Sequence, residues 1–234
     1  MDYFYCPPEK ILSDELIIDG EEFSHLVHVM RKKEGDDIRV VDGRGTAYDV
    51  RLGGLKKKMV SCTILRVHHN HHEPSVAVTL AVGVLKNPSK FDFLVEKVAE
   101  LGVKEIIPLK TERTISNHAK TDRWQKLALA AMKQCGRSYL PIVKELITLD
   151  DFLEHPASFE VKLFAHEKTT DATSINPQHI KAAISVAVLI GPEGGFTDEE
   201  AEHCFKAGYR PLYFGERKLR TETAAILAAA LTVL

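Results

Sequence analysis

The run Val76–Leu85 holds ten consecutive residues without a charged side chain. A strand with one face in water alternates apolar with polar residues, whereas one covered on both faces reads as a continuous apolar run. The second pattern belongs to parallel sheets sandwiched between helices. The residues that follow keep to that architecture. Ser89–Leu101 predicts a helix, since Phe91, Leu94, Val98 and Leu101 recur at helical spacing and Gly102 is placed to end it. Ile106–Leu109 predicts a strand, and Thr121–Gly136 a helix with Trp124, Leu127, Ala128, Ala131, Met132 and Cys135 on one stripe. Strands are expected at Ile142–Leu146, Val161–Ala165 and Val186–Ile190, and a short helix at Pro177–Ala183. Thr197-Asp198-Glu199-Glu200 is a capping-box signature for a helix that Gly208 would end. Such alternation predicts an α/β domain with a mainly parallel sheet.

The first seventy or so residues read differently. Asp37–Val41 and Ala47–Leu52 are joined by the hairpin signal Asp42-Gly43-Arg44-Gly45, and Met59–Val67 follows a turn expected at Gly53-Gly54. Short strands with glycine-rich turns suggest a small β-barrel. Four histidines in His68–His72 raise the question of a metal, but no carboxylate or cysteine completes a recognised ligand spacing. The ordinary reading is a solvated linker closed by Pro74, and no metal is expected.

With 234 residues the chain can bury one large core, or one small and one medium core. A net charge of −2 argues against a generally polybasic binder, although a local basic face is enough to neutralise phosphates. Cys6, Cys62, Cys135 and Cys204 form no C-x-x-C pair and read as reduced thiols. The opening residues have neither the basic nor the apolar region of a secretory signal. Ala224–Leu234 is too short to span a bilayer and reads as a buried or interface helix. A cytoplasmic protein without membrane contact is expected.

Two segments could carry chemistry. The strand Val186–Ile190 runs into Gly191-Pro192-Glu193-Gly194-Gly195-Phe196, the place beyond a parallel strand where ligands commonly sit. Neither a Walker phosphate loop nor a G-x-G-x-x-G turn is present, so by itself this is a structural turn or a ligand loop carrying one carboxylate. Tyr213–Ala224 also combines a glycine, a basic stretch and a threonine-flanked glutamate at the start of an apolar helix, with Thr221 as the N-cap. It too reads either as a plain helix start or as a contact loop. Lys126, Lys133 and Arg137 fall on one expected helix face, with Gln134 nearby; Arg31-Lys32-Lys33 and Lys56-Lys57-Lys58 are further basic groups. All could meet RNA phosphates or simply be solvated.

Taken together, Gly191-Pro192-Glu193-Gly194-Gly195-Phe196 and Leu219-Arg220-Thr221-Glu222-Thr223-Ala224 resemble the ribosomal RNA small subunit methyltransferase E family of the SPOUT superfamily. The likeness extends through His25-Leu26, Val29-Met30-Arg31, Gly35-Asp36, Glu100-Leu101-Gly102-Val103, Glu112-Arg113 and Gln134–Arg137, with Pro141 in place. Phe214-Gly215 stands where Leu-Gly is usual, Lys218 where isoleucine is usual, and Ala131 where glutamate is frequent.

The resemblance implies a PUA-like β-barrel over residues 1–72 that holds RNA, and a SPOUT domain over 73–234 with a deep C-terminal trefoil knot. It implies a homodimer that uses S-adenosyl-L-methionine to methylate N3 of one uridine in 16S ribosomal RNA of the small ribosomal subunit. The cofactor would contact Phe164, Ala165, His166 and Glu167, then Ile190, Gly191, Pro192, Glu193, Gly194 and Gly195. A third group is Phe214, Gly215, Leu219, Arg220, Thr221, Glu222, Thr223 and Ala224. Arg137 and Arg220 are the candidates to stabilise the uridine anion, and Glu193 and Glu222 to accept a proton or orient loops. Arg31, Lys32, Lys33, Lys86, Arg113, Lys133, Gln134 and Arg137 would face RNA. The rival readings are a SPOUT methyltransferase for another ribosomal or transfer RNA base, and a non-catalytic RNA-binding assembly factor.

Overall fold

The computed structural model describes residues 3–116, 118–154, 158–166, 180 and 183–233. The chain divides into two compact units, Met1–Glu73 with Met132–Leu140, and Pro74–Ala131 with Pro141–Leu234.

In the first unit, β1 (Tyr3–Tyr5), β2 (Glu15–Asp19), β3 (Asp37–Val41), β4 (Thr46–Leu55) and β5 (Met59–His69) form one sheet in the order β1-β3-β4-β5-β2. Only the β1–β3 pairing is parallel. A short helix, α1 (Gly20–Ser24), follows β2. Alternate residues, Leu16 and Ile18, Ile38 and Val40, Val50 and Leu52, Val60 and Cys62, turn one face of every longer strand into a core closed by Phe4 and Leu26. The hairpin at Asp42–Gly45 is present, with Asp42 Oδ1 accepting from the Arg44 and Thr46 amides.

Two expectations need correction. Gly53-Gly54 is not the turn: β4 runs through both, and the register shifts between Leu52 and Leu55. A Cβ at Gly53 would stand 2.8 Å from the Ser61 carbonyl, so the glycine serves a bulge and a close cross-strand approach. The chain reverses at Lys56–Lys58, closed by Lys56 N–H donating to Met59 O. Nor is His68–His72 a solvated linker, because β4 and β5 stay paired out to Thr46 and His69. His68 binds Asp49 at 2.8 Å, the His71 ring stacks on His72 with centroids 3.8 Å apart, and the Tyr3 hydroxyl meets His71 Nε2 at 3.0 Å. Among the described residues no group of His, Cys, Asp and Glu is placed to hold a metal.

The second unit is built on a sheet ordered β12-β10-β11-β6-β7-β8, with β9 also on β7, and every pairing is parallel. Its strands are β6 (Ala77–Gly83), β7 (Glu105–Lys110), β8 (Ile142–Val143), β9 (Ile147–Thr148), β10 (Val161–Ala165), β11 (Ser185–Ile190) and β12 (Arg210–Leu212). The helices are α2 (Pro88–Leu101), α3 (Thr121–Cys135), α4 (Leu149–Glu154), α5 (Asp198–Lys206) and α6 (Thr221–Val233). Val186, Ala187, Val188 and Leu189 are all fully buried, as a strand covered on both faces requires. The strand expected at Ile142–Leu146 is two short pieces instead. Pro108, which has no N–H to give a ladder, lies in the stretch of β7 between their pairing sites. The helix expected at Pro177–Ala183 lies outside the described residues, apart from Ile180 and Ala183.

Local chemistry explains the helix ends. Asn87 caps α2 by accepting from Ser89 N–H, Pro88 occupies its first turn, and Gly102 at φ 110° ends it. Trp124 of α3 stacks on Phe91 with ring centroids 4.0 Å apart and donates its Nε1–H to Asp92 at 3.0 Å. The capping box of α5 is complete: Thr197 Oγ1 accepts from Glu200 N–H at 3.1 Å, and Glu200 Oε2 accepts from Thr197 N–H at 2.9 Å. The last helix, α6, packs against β6, β11 and α2.

Thr197→Ala removes half of that box and is expected to cost about 1 kcal/mol, read as a lowered urea midpoint with unchanged slope. The buried thiols give a second expectation. Burial pushes the Cys6 thiol up to about 11, and the Cys62 and Cys204 thiols up to about 12. At pH 8 these three stay protonated and unreactive in the folded protein. Maleimide should therefore label the half-buried Cys135 alone, and mass mapping of the labelled peptides checks it.

Candidate functional site

Because β10, β11 and β12 are parallel neighbours, their carboxyl ends open on one edge of the sheet. Ala165 and His166 at the end of β10, the loops leaving Ile190 and Leu212, and the first turn of α6 line a cavity of about 760 Å³ there. Small-molecule sites commonly have volumes of about 300–1,000 Å³. The walls include Ile190, Leu212, Leu219 and Ala224 as apolar surface, and the two glycine-bearing turns Gly191–Gly195 and Gly215–Arg220.

The glycine turn is held from outside the cavity. Gly195 N–H donates to Pro192 O at 2.9 Å, and Gly195 itself sits at φ 69°. A Cβ on Gly83, at the end of β6, would stand 2.5 Å from Pro192 N, so only glycine lets strand and turn touch. Glu193 Oε1 accepts from Lys86 N–H at 3.1 Å. Arg113 Nη1 donates to Gly194 O at 2.7 Å and to Phe196 O at 3.3 Å, while Glu112 N–H donates to Glu200 Oε1 at 2.8 Å. The segment after β7 thus clamps the turn through one guanidinium and one backbone amide.

The structure gathers most of the suspected contact residues. Ala165, His166, Ile190, Gly191, Pro192, Glu193, Gly194, Gly195, Phe214, Gly215, Leu219, Arg220, Thr221 and Ala224 all line the cavity. Phe164 does not: it is fully buried in the sheet, edge-on to Phe205 at 5.0 Å. Thr223 is exposed and off the wall, and Glu167 lies outside the described residues. Glu222 is buried beside the cavity, with Oε1 3.3 Å from Lys90 Nζ. Lys90 does line the wall. Nothing in the spacing pointed to it, since it sits on α2, far away in the chain.

The suspected RNA-facing residues have different surroundings. Arg113 is spent on the turn carbonyls, and Lys133 is ion-paired with Glu22. Arg31, Lys33, Lys86 and Gln134 are exposed, and Lys32 is half-buried. The face expected to join Lys126, Lys133 and Arg137 stops short, because α3 ends at Cys135 and Gly136 turns left-handed at φ 76°. Arg137 points inward within the first unit, only 3% exposed. Its Nη2 donates to Glu73 at 2.7 Å, and Glu73 Oε1 also accepts from the Ser138 and Tyr139 amides at 2.9 and 2.8 Å. No helix among the described residues is long and apolar enough to cross a membrane.

Comparison with known proteins places this geometry. Residues 72–233 match the RNA methyltransferase domain family, and residues 18–65 match the RNA methyltransferase PUA domain. The ribosomal RNA small subunit methyltransferase E of Bacillus subtilis (strain 168) is 29% identical over 222 residues, which are 90% of this chain and 86% of that protein. The protein of that name from Mesomycoplasma hyopneumoniae (strain 232) is 35% identical over 186 residues, 76% of this chain and 78% of its own. A crystal structure of the Neisseria gonorrhoeae ribosomal RNA small subunit methyltransferase E, bound to S-adenosyl methionine, superposes with a TM-score of 0.85 at 31% identity. It covers 98% of this chain and 95% of the other. With a continuous parallel sheet, a cavity at its strand ends and these matches over most of its length, the chain belongs to the ribosomal RNA small subunit methyltransferase E family.

Proposed function

We propose that this protein methylates N3 of one uridine in 16S ribosomal RNA of the small subunit, using S-adenosyl-L-methionine bound in the cavity at the ends of β10, β11 and β12. The observation that carries the reading is the cavity wall itself. Two glycine-bearing turns, which let a ligand approach the main chain, and a few apolar side chains suit a flat purine nucleoside. Ile190–Gly195, Phe214, Gly215 and Leu219–Ala224 would hold it, with Ala165 and His166 at one end.

The bound cofactor supplies an electrophilic methyl group on a sulfonium. The chain's part is to orient donor and acceptor in line and to manage one proton and one charge. The uridine N3 proton must leave, and the anion left on the imide needs a nearby cation. Arg220, on the cavity wall, is assigned that stabilising role. Glu193 is assigned the proton, since only its Oε1 is engaged by Lys86 N–H. Arg137 would have to leave Glu73 first, and stripping one partner from a buried ion pair costs about 3–5 kcal/mol. Arg137 therefore takes the role only where RNA displaces Glu73. An N3 atom paired inside a duplex is out of reach, so the target uridine is unpaired or extruded.

Residues 1–72 are assigned to a PUA-like domain that holds RNA, and 73–234 to a SPOUT domain with a trefoil knot. The return of the chain from edge strand β12 to pack α6 on β6, β11 and α2 supports that threading. A homodimer is supported by Leu227 and Leu231, which stay exposed one turn apart on α6. The stripe on α3, by contrast, is buried at Trp124, Ala128 and Met132.

Labelled methyl groups should pass from the cofactor to unmodified small subunits, and none to subunits carrying cytidine at the target uridine. Label on the cytidine substrate would point to another base, and no cofactor-dependent thermal stabilisation would favour the non-catalytic assembly factor. Arg220→Ala should lower kcat at saturating RNA by about 100-fold, the scale of one lost anion-stabilising donor, while Arg137→Ala turning over normally would leave the ion pair a structural one. Arg113→Ala removes a charged donor from two turn carbonyls. It should weaken cofactor binding about tenfold in calorimetry while leaving kcat at saturation nearly unchanged.

A further inference from the structure

Glu222 Oε2 is a buried side-chain oxygen with no hydrogen-bond partner, and no other such side-chain nitrogen or oxygen occurs among the described residues. Buried polar groups are overwhelmingly satisfied, so an orphaned carboxylate oxygen calls for a donor. The rest of the carboxylate is engaged: Oε1 faces Lys90 Nζ at 3.3 Å, and the residue as a whole is 8% exposed. Lys90 stands on the cavity wall, whereas Glu222 is buried next to residues that form it. Lys90 lines it from the first turn of α2, and Thr221 and Ala224 line it on either side of Glu222 in α6. Arg217 and Arg220 also reach the wall, but from an exposed loop where solvent screens them. Lys90 is different: it is half-buried, fixed on a helix and already aligned with a counter-charge.

An ion pair with one carboxylate oxygen to spare is the complement of a zwitterion. We propose that Lys90 and Glu222 bind the amino-acid end of S-adenosylmethionine, Lys90 Nζ donating to its carboxylate and Glu222 Oε2 accepting from its ammonium. This rests on the cavity being the cofactor site. It assigns the pair to recognition rather than to proton transfer. Charge-assisted hydrogen bonds on both ends distinguish the intact amino acid from a nucleoside that lacks it. The adenosine portion, held by the turn backbones, is untouched by the pair.

The test uses the purified full chain and calorimetric titration with two probes. S-adenosylhomocysteine carries the zwitterion; methylthioadenosine has the same thioether nucleoside without it. Lys90→Met and Glu222→Gln are each expected to weaken S-adenosylhomocysteine at least about tenfold, while methylthioadenosine binding changes by less than about twofold. Retained methylthioadenosine binding shows at the same time that the cavity is folded. The proposal is overturned if both variants keep the wild-type ratio of the two affinities, whether both probes weaken together or neither does. A wild-type protein that binds neither nucleoside overturns the cofactor site itself, and the pairing with it.

Discussion

Parallel pairing of β6 with β11, Ala77 opposite Ser185 through Val82 opposite Ile190, joins two strands about a hundred residues apart in the chain. Their tips then come so close that Gly83 and Pro192 touch, with no room for a Cβ between them. Since β10 and β12 extend the ladder in the same direction, every loop that leaves this side of the sheet leaves at the same edge. The cavity follows from that common polarity. Antiparallel strands would have sent half of those loops to the opposite edge.

A second regularity is how charged side chains are used once the sheet is in place. The turn after β11 has carbonyls that no ladder can satisfy, and Arg113 donates to two of them. Glu193 and Glu200 accept from backbone amides of the segments after β6 and β7. In the first unit, Glu73 does the same for the Ser138 and Tyr139 amides while it binds Arg137. These groups stiffen loops, which suits a site walled by two glycine-bearing turns. They also leave fewer cations free for phosphates than the basic residues in the sequence suggest.

That difference marks where reading residues alone runs out. The runs Val161–Ala165 and Val186–Ile190, the hairpin at Asp42–Gly45 and the capping box at Thr197–Glu200 were legible because each depends on neighbours within a few positions. Glycine at 53 and 54 misled because a bulge and a turn both call for it; the choice was made by the Ser61 carbonyl across the ladder. The histidines at 68–72 looked solvated because their partners, Tyr3 and Asp49, are far away in sequence. β1 escaped notice because Tyr3–Tyr5 is too short to show a period.

By itself the sequence determined the α/β class, the positions of the glycine turn and the start of the last helix, and the family through their motifs. These are local properties: apolar period, capping chemistry and the tolerance of glycine for close approach. Only the tertiary structure decided which charges are spent inside the protein and which reach the cavity. Arg137 went to Glu73, Arg113 to the turn carbonyls, and Lys90 emerged beside Glu222. A side chain's partner is set by what the fold brings within about 3 Å, and hydrogen bonds fall off too steeply with distance for sequence spacing to stand in for it.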